Sequence, residues 1–186
     1  MRSAVYAVLD VETTHGDPRK GSIMEVGVVL HDGEGMRGSW SSLVRPEGEI
    51  PSFIRKLTGI TPAMVKDAPR FVEVARELMR ITEDRVVVAH NVRYDMTSLE
   101  HEFARTGLVF HRPVLCTEQL SRQLVPGLQH YNLGSLCRFF GIRSDGRHRA
   151  LNDAHATMLL HRALMERFGE ERCLEACDHW PRRQVA

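Results

Sequence analysis

The chain has 186 residues, enough for one domain with a well-buried core. Its charged fraction of 26% and apolar fraction of 42% are ordinary for a globular protein. The formal net charge of +1 excludes a broadly basic nucleic-acid coat, so a polyanion must be held by a local patch or by metal ions. No apolar stretch approaches the ~20 residues of a membrane span.

The opening residues Met1-Arg2-Ser3-Ala4-Val5 run into a strand-like segment with no signal peptide before it. Together with four unevenly spaced cysteines (Cys116, Cys137, Cys173 and Cys177), this predicts a cytoplasmic protein with reduced thiols. Cys173, Cys177 and His179 do not make a metal site, because the spacing is not C-x₂-C and no fourth ligand is evident. One domain is expected over residues 1–186, with its core at 4–168 and a C-terminal segment at 169–186.

Ala4 to Val11 is an apolar run that reads as a buried central strand. Ile23 to His31 is a second strand, Asp32-Gly33 with Gly35 a hairpin turn, and Met36 to Val44 a third strand stopped by Pro46. Thr61-Pro62 suits a helix start. Pro69 to Ile81 carries a helical stripe of Phe71, Val72, Val74, Ala75, Leu78 and Met79. Arg85 to Ala89 is a short β-branched strand, Tyr94 to Thr106 a helix stopped by Gly107, and Pro113 to Cys116 a fifth strand. Asn132 caps a helix ending at Gly141, Ala150 to Phe168 is the longest helix, and the tail from Arg182 is expected to be loose. This order predicts an α/β fold: a mixed five-stranded sheet with helices on both faces.

Four acids stand out against this frame. Asp10 and Glu12 end an apolar strand two residues apart, so both project from the same face. Asp95 and Asp153 each lie one turn into a helix. A lone Asp near a helix start is common as a cap; that reading leaves Asp10 and Glu12 unexplained. Carboxylates brought together repel unless neutralised. Two divalent cations would do this, and oxygen ligands suit Mg²⁺ or Mn²⁺. Such a pair can clamp the attacking and leaving oxygens of a phosphodiester.

The motifs around these acids resemble those of the DEDDh exonucleases, proofreading-type 3′→5′ exonucleases of the ribonuclease H-like fold that include the epsilon subunits of bacterial DNA polymerase III. Asp10-Val11-Glu12-Thr13-Thr14 is similar to the first motif. His90-Asn91-Val92-Arg93-Tyr94-Asp95 is similar to the second, with Val92 and Tyr94 where Ala and Phe are common. His148-Arg149-Ala150-Leu151-Asn152-Asp153-Ala154 is similar to the third. Leu57 to Thr61 and Tyr131 to Cys137 also look like family segments, and the likeness covers residues 4–168. His15 stands where Gly is frequent and is read as exposed.

The resemblance implies that Asp10, Glu12, Asp95 and Asp153 hold two divalent metal ions, with Asp10 as the bridge. It implies that His148, in a turn-rich segment, takes the proton of the attacking water. Thr13, Leu57, Thr58, His90 and Tyr94 would border the terminal nucleotide, although Leu57 also suits ordinary core packing. Arg138, Arg143, Arg147 and Arg149 form a basic concentration that is either a phosphate path or a solvated face. His101, His111, His130, His155 and His161 are read as surface or helix-face residues. The expected substrate is a nucleic-acid 3′ end, single-stranded and DNA. The alternatives are the same chemistry on RNA, or a non-catalytic nucleic-acid-binding module associated with a polymerase. A DNA polymerase partner is implied by the family; membrane association is not expected.

Overall fold

The computed structural model describes residues 6–144, 146 and 148–180. The expected first two residues of the opening strand, the loose tail, Asp145 and Arg147 lie outside them. Six strands form one sheet: β1 (Tyr6–Thr13), β2 (Ile23–His31), β3 (Met36–Leu43), β4 (Val86–Ala89), β5 (Arg112–Cys116) and β6 (Asp178–Trp180). Their order is β3-β2-β1-β4-β5-β6. β1 pairs antiparallel with β2 and parallel with β4, so the connections reverse direction across β1. The five expected strands are present, and β6 is a sixth. Its three residues carry no apolar alternation; the strand exists because Trp180, His179 and Asp178 find Arg112, Pro113 and Val114 on the open edge of β5.

The helices are α1 (Ser52–Thr58), α2 (Pro62–Val65), α3 (Phe71–Ile81), α4 (Val92–Ala104), α5 (Thr117–Leu124), α6 (Leu133–Phe139), α7 (Ala150–Phe168) and α8 (Glu170–Leu174). α7 has the expected bounds, and the Asn132 side chain accepts from the Ser135 N–H at the start of α6. Gly107 is left-handed, at φ 72°, and sits two residues beyond the α4 C-cap at Arg105. α1, α5 and α8, each eight residues or shorter, carry too few turns for a legible stripe.

Alternation along β1 sends Ala7, Leu9 and Val11 into one core with α3 and α4, and Tyr6 and Val8 into a second core with α7. The register continues that second face: Tyr6 opposite His31, Val8 opposite Val29, Asp10 opposite Gly27 and Glu12 opposite Glu25. α7 lies along this ladder, and Asp10, Glu12 and Glu25 sit toward its N-terminal end.

At the other end of the ladder, His161 of α7 is fully buried, as is His31. The reading of His161 as a surface or helix-face residue is therefore wrong. It stands in the largely apolar run from Met158 to Met165, but only the packing of α7 shows that its face meets Tyr6. The Tyr6 ring stacks on His31 at 4.9 Å and meets His161 edge-on at 4.8 Å. The Gly33 N–H donates to His31 Nδ1, so the neutral His31 carries its proton on Nε2 and donates it to His161 Nδ1 at 3.1 Å. Burial is the main cause holding both rings neutral, His31 down to about 4 and His161 to about 3. Arg162 adds to the effect at His31 and Asp32 opposes it.

An unfolded histidine titrates near ~6.5, so below that pH the unfolded chain binds more protons and stability falls. Each pH unit below 6.5 costs up to about 1.4 kcal/mol per histidine until the folded pKa is reached. The double variant His31→Phe/His161→Leu removes both bases while retaining the ring stack. Calorimetry from pH 7 to 4.5 should show Tm falling more steeply for the unsubstituted protein than for this variant; parallel profiles would refute the assignment.

Candidate active site

β4 pairs with β1 only over Tyr6 to Val8, then ends at Ala89. Past that point the β4-facing edge of β1 is open. The chain turns at Asn91, in the left-handed conformation at φ 63° and ψ 51°, and enters α4. Asn tolerates this conformation better than most residues. The turn directs Asp95 at the open edge, where its Oδ1 accepts the Val11 N–H at 3.1 Å. A backbone donor left without a ladder partner is thereby satisfied, and the same bond fixes Asp95 between Asp10 and Glu12. A crevice at the carboxyl ends of β1 and β4, where the topology switches, is the usual ligand site of an open α/β sheet.

The third motif arrives from above. Ideal Cβ geometry at Gly27 would place that atom 2.4 Å from the backbone of both Ala150 and Leu151, so only glycine lets the first turn of α7 rest on β2. Buried Glu25 completes the seat. It accepts the Ala150 N–H at 2.9 Å, supplying the cap that no α7 side chain provides. It also takes the Arg149 guanidinium through Nε at 3.0 and 3.1 Å and Nη2 at 2.6 Å. Arg149 is thus half of a carboxylate clamp on buried Glu25. Asp153 faces down from this turn, and its Oδ2 accepts the His148 N–H at 2.9 Å. His148 holds a left-handed backbone, φ 63°.

These elements bring the five chemical residues into one cavity of ≈ 620 Å³, lined by Asp10, Glu12, Asp95, His148 and Asp153, with His90 and Tyr94 on its wall. Ligand atoms of Glu12, His148 and Asp153 lie within 4.8 Å of one another. Asp95 and Asp153 are buried and Asp10 and Glu12 partly so. Burial, then the neighbouring carboxylates, hold Asp10 well above the usual carboxylate range. Burial does the same to Asp95 against the opposing Val11 hydrogen bond. A set of oxygen donors in this condition must keep a proton or take up a cation, so the residues fit divalent metal binding.

The residues expected at the nucleotide divide into two groups. The Tyr94 and Thr13 hydroxyls meet at 2.6 Å and both reach the His15 carbonyl, at 2.8 and 2.7 Å. This knot orients the Tyr94 ring toward the cavity; His15 itself is exposed, as expected. His90 Nδ1 lies 2.9 Å from Thr117 Oγ1. Thr58 is buried and its hydroxyl donates to the Ile54 carbonyl within α1. Leu57 is 50% exposed, so core packing does not explain it. Glu25 and Gly27 were missed, although the signal was available: a carboxylate and a glycine inside an apolar strand, the same anomaly that marked Asp10.

Fold and site together define a hydrolytic nuclease. A family model described as exonuclease (RNase T) matches residues 7–161. The chain is 35% identical over 162 residues to the DNA polymerase III subunit epsilon of Aquifex aeolicus, covering 87% of this chain and 80% of that one. It is 35% identical over 165 residues to the PolC-type DNA polymerase III of Caldanaerobacter subterraneus subsp. tengcongensis, covering 89% of this chain but 12% of that one. A solved structure of exonuclease X in complex with 5′-overhanging duplex DNA superposes with a TM-score of 0.74 at 26% identity, over 92% of this chain and 98% of that one. The chain belongs to the RNase T exonuclease family and is a 3′→5′ exonuclease domain. The family uses divalent metals. Among the described residues no helix is long and apolar enough to cross a membrane.

Three substitutions test the site's construction. Gly27→Ala should cost about 2–3 kcal/mol in urea unfolding, because backbone faces backbone and neither can yield. Gly38→Ala, with nothing within 4 Å, should leave stability almost unchanged. The raised pKa of Asp10 means that the metal-free protein loses stability as pH rises from the unfolded value near ~3.9 toward the folded one. At pH 8 without metal, Asp10→Asn should therefore melt above the unsubstituted protein, by about 2–4 °C for each kcal/mol relieved. A lower Tm would show that the carboxylates are not in conflict.

Proposed function

We propose that this domain removes nucleoside 5′-monophosphates from the 3′ end of single-stranded DNA, with five residues in named roles. The observation that carries the proposal is the convergence of Asp10, Glu12, Asp95, Asp153 and His148 on one cavity. Asp10, Glu12, Asp95 and Asp153 would hold two divalent cations, Mg²⁺ or Mn²⁺, which when bound would supply water activation and stabilise the charge on the leaving oxygen. His148 receives the water's proton on a ring nitrogen. Its backbone bond to Asp153 ties the base to the carboxylate set. Tyr94 and His90 wall the space for the terminal nucleoside, with Thr13 orienting Tyr94 through the shared His15 carbonyl. Leu57 and Thr58 border the nucleotide by family resemblance. The exposure of Leu57 supports its availability as a wedge.

DNA is favoured because the relatives include polymerase III epsilon and PolC proteins, and exonuclease X is seen with DNA. Those names also support association with a DNA polymerase. A single strand is favoured because a 3′ terminus must leave its duplex to reach partly buried carboxylates.

A 5′-labelled single-stranded DNA should shorten to a descending ladder with Mg²⁺ or Mn²⁺ and stay intact in chelator. Circular single strands should resist. Faster digestion of the matching RNA would overturn the choice of DNA. His148→Ala should lower kcat about 10²–10⁴-fold with a smaller change in KM. Unaltered kcat across the pH range would move the base elsewhere.

A further inference from the structure

The cavity extends well past the carboxylates, to α5 and to the loop before α6. On that far wall stands Arg122, the single arginine or lysine among the described residues lining the cavity. Its guanidinium is held in place from two sides. Glu118, one turn earlier on α5, takes Nη2 at 2.8 Å and Nε at 3.3 Å. The Tyr131 ring lies beneath it, 4.5 Å from Cζ to the ring centroid. Tyr131 is itself fixed: it is buried, its hydroxyl donates to the Val125 carbonyl at 2.7 Å and it accepts the Leu128 N–H at 3.1 Å. A guanidinium has five N–H donors, and Glu118 engages two of them, leaving an outward edge free to bind an anion. The exposed side chains of Gln129, His130 and Asn132 flank it along the same wall.

An exonuclease must draw in a polyanion beside four carboxylates. Its terminal phosphodiester meets whatever neutralises those acids, but the next phosphate has no such help. We propose that Arg122, stacked on Tyr131 and flanked by Gln129, His130 and Asn132, forms a second subsite that binds the phosphodiester on the 5′ side of the scissile one. Its preorganised planar donors suit a phosphate, and the contact ignores base identity. Arg122 does not touch the reacting atoms, and its described hydrogen bonds go to Glu118. It sets how tightly the strand is held and how strongly longer substrates are preferred. The inference rests on the exonuclease reading of the neighbouring carboxylates.

The test separates the two. Binding is measured by fluorescence anisotropy of a 5′-labelled ten-nucleotide DNA on Asp10→Ala protein, with and without Arg122→Gln, over a range of salt. Loss of one phosphate contact should weaken binding about 5–10-fold and lower the slope of log affinity against log salt by about 0.7. Kinetically, the Arg122→Gln protein should show a raised KM for the ten-nucleotide strand with a smaller change in kcat. The advantage of an unphosphorylated trinucleotide over a dinucleotide, which has the scissile phosphate alone, should shrink by the same factor. Arg122→Lys should restore the salt slope and part of the affinity. Arg80→Gln, which removes an equal charge from α3, should change neither. An unaltered salt slope, or an equal KM increase for the dinucleotide, would overturn the subsite. Absence of turnover on every oligonucleotide, with the anisotropy effect intact, would instead overturn the exonuclease reading and leave Arg122 as a phosphate contact.

Discussion

The seat of α7 on β2 is the contact on which the rest of the site depends. Helix backbone meets strand backbone over Gly27, and Glu25 binds both the first free N–H of the helix and the side chain of Arg149. Each part of this contact resists displacement. The close approach leaves no room for a side chain, the helix start needs an acceptor, and Glu25 needs a counter-charge because it is buried directly opposite Glu12. Two glutamates facing each other across a ladder would repel. Committing one of them to Arg149 leaves the other to the cavity. Asp153 and His148 inherit their positions from this arrangement, since both lie within a turn of Arg149.

The ladder beneath α7 changes character along its length. At one end Tyr6, His31 and His161 form a neutral, stacked aromatic cluster. At the other, Asp10 and Glu12 occupy equivalent positions on the same strand face. The first end tolerates its polar atoms because each histidine can remain uncharged in a dry environment. Carboxylates have no such relief at neutral pH, and the four gathered at the other end are stable together only with a proton or a cation. One helix therefore packs on an inert face and on a face poised for ligand uptake. Rigid packing at the histidine end anchors the strand and helix whose far ends carry the chemistry.

α4 solves a related problem by a different route. β4 is two positions too short to cover the β1 edge at Val11, and an uncovered N–H there would be costly. Asp95 supplies the missing acceptor, so the bond that completes the strand's hydrogen bonding also delivers the third carboxylate. The left-handed turn at Asn91 makes this reach feasible, and the Thr13–Tyr94–His15 knot holds the helix face beside it. On the far wall of the cavity, Glu118 and the Tyr131 ring hold the Arg122 guanidinium.

Local pattern alone determined much of this protein. Apolar runs placed β1, β2, β4 and α7, because burial on a strand or helix imposes a period that residues must obey. Acids in those runs marked the site, because an unpaired buried charge has no structural excuse. Other features were settled only by the tertiary structure. β6 forms because an edge of β5 is open to it, and three residues carry no period. His161 lies in the core because the face of α7 that meets Tyr6 is fixed by where Gly27 lets the helix begin. Arg149, one of four nearby arginines, is a clamp because Glu25 lies under it, 124 positions away in sequence. Sequence shows which side chains are anomalous where they stand. Which distant partner resolves each anomaly depends on register and close approach, and those exist only once the chain has folded.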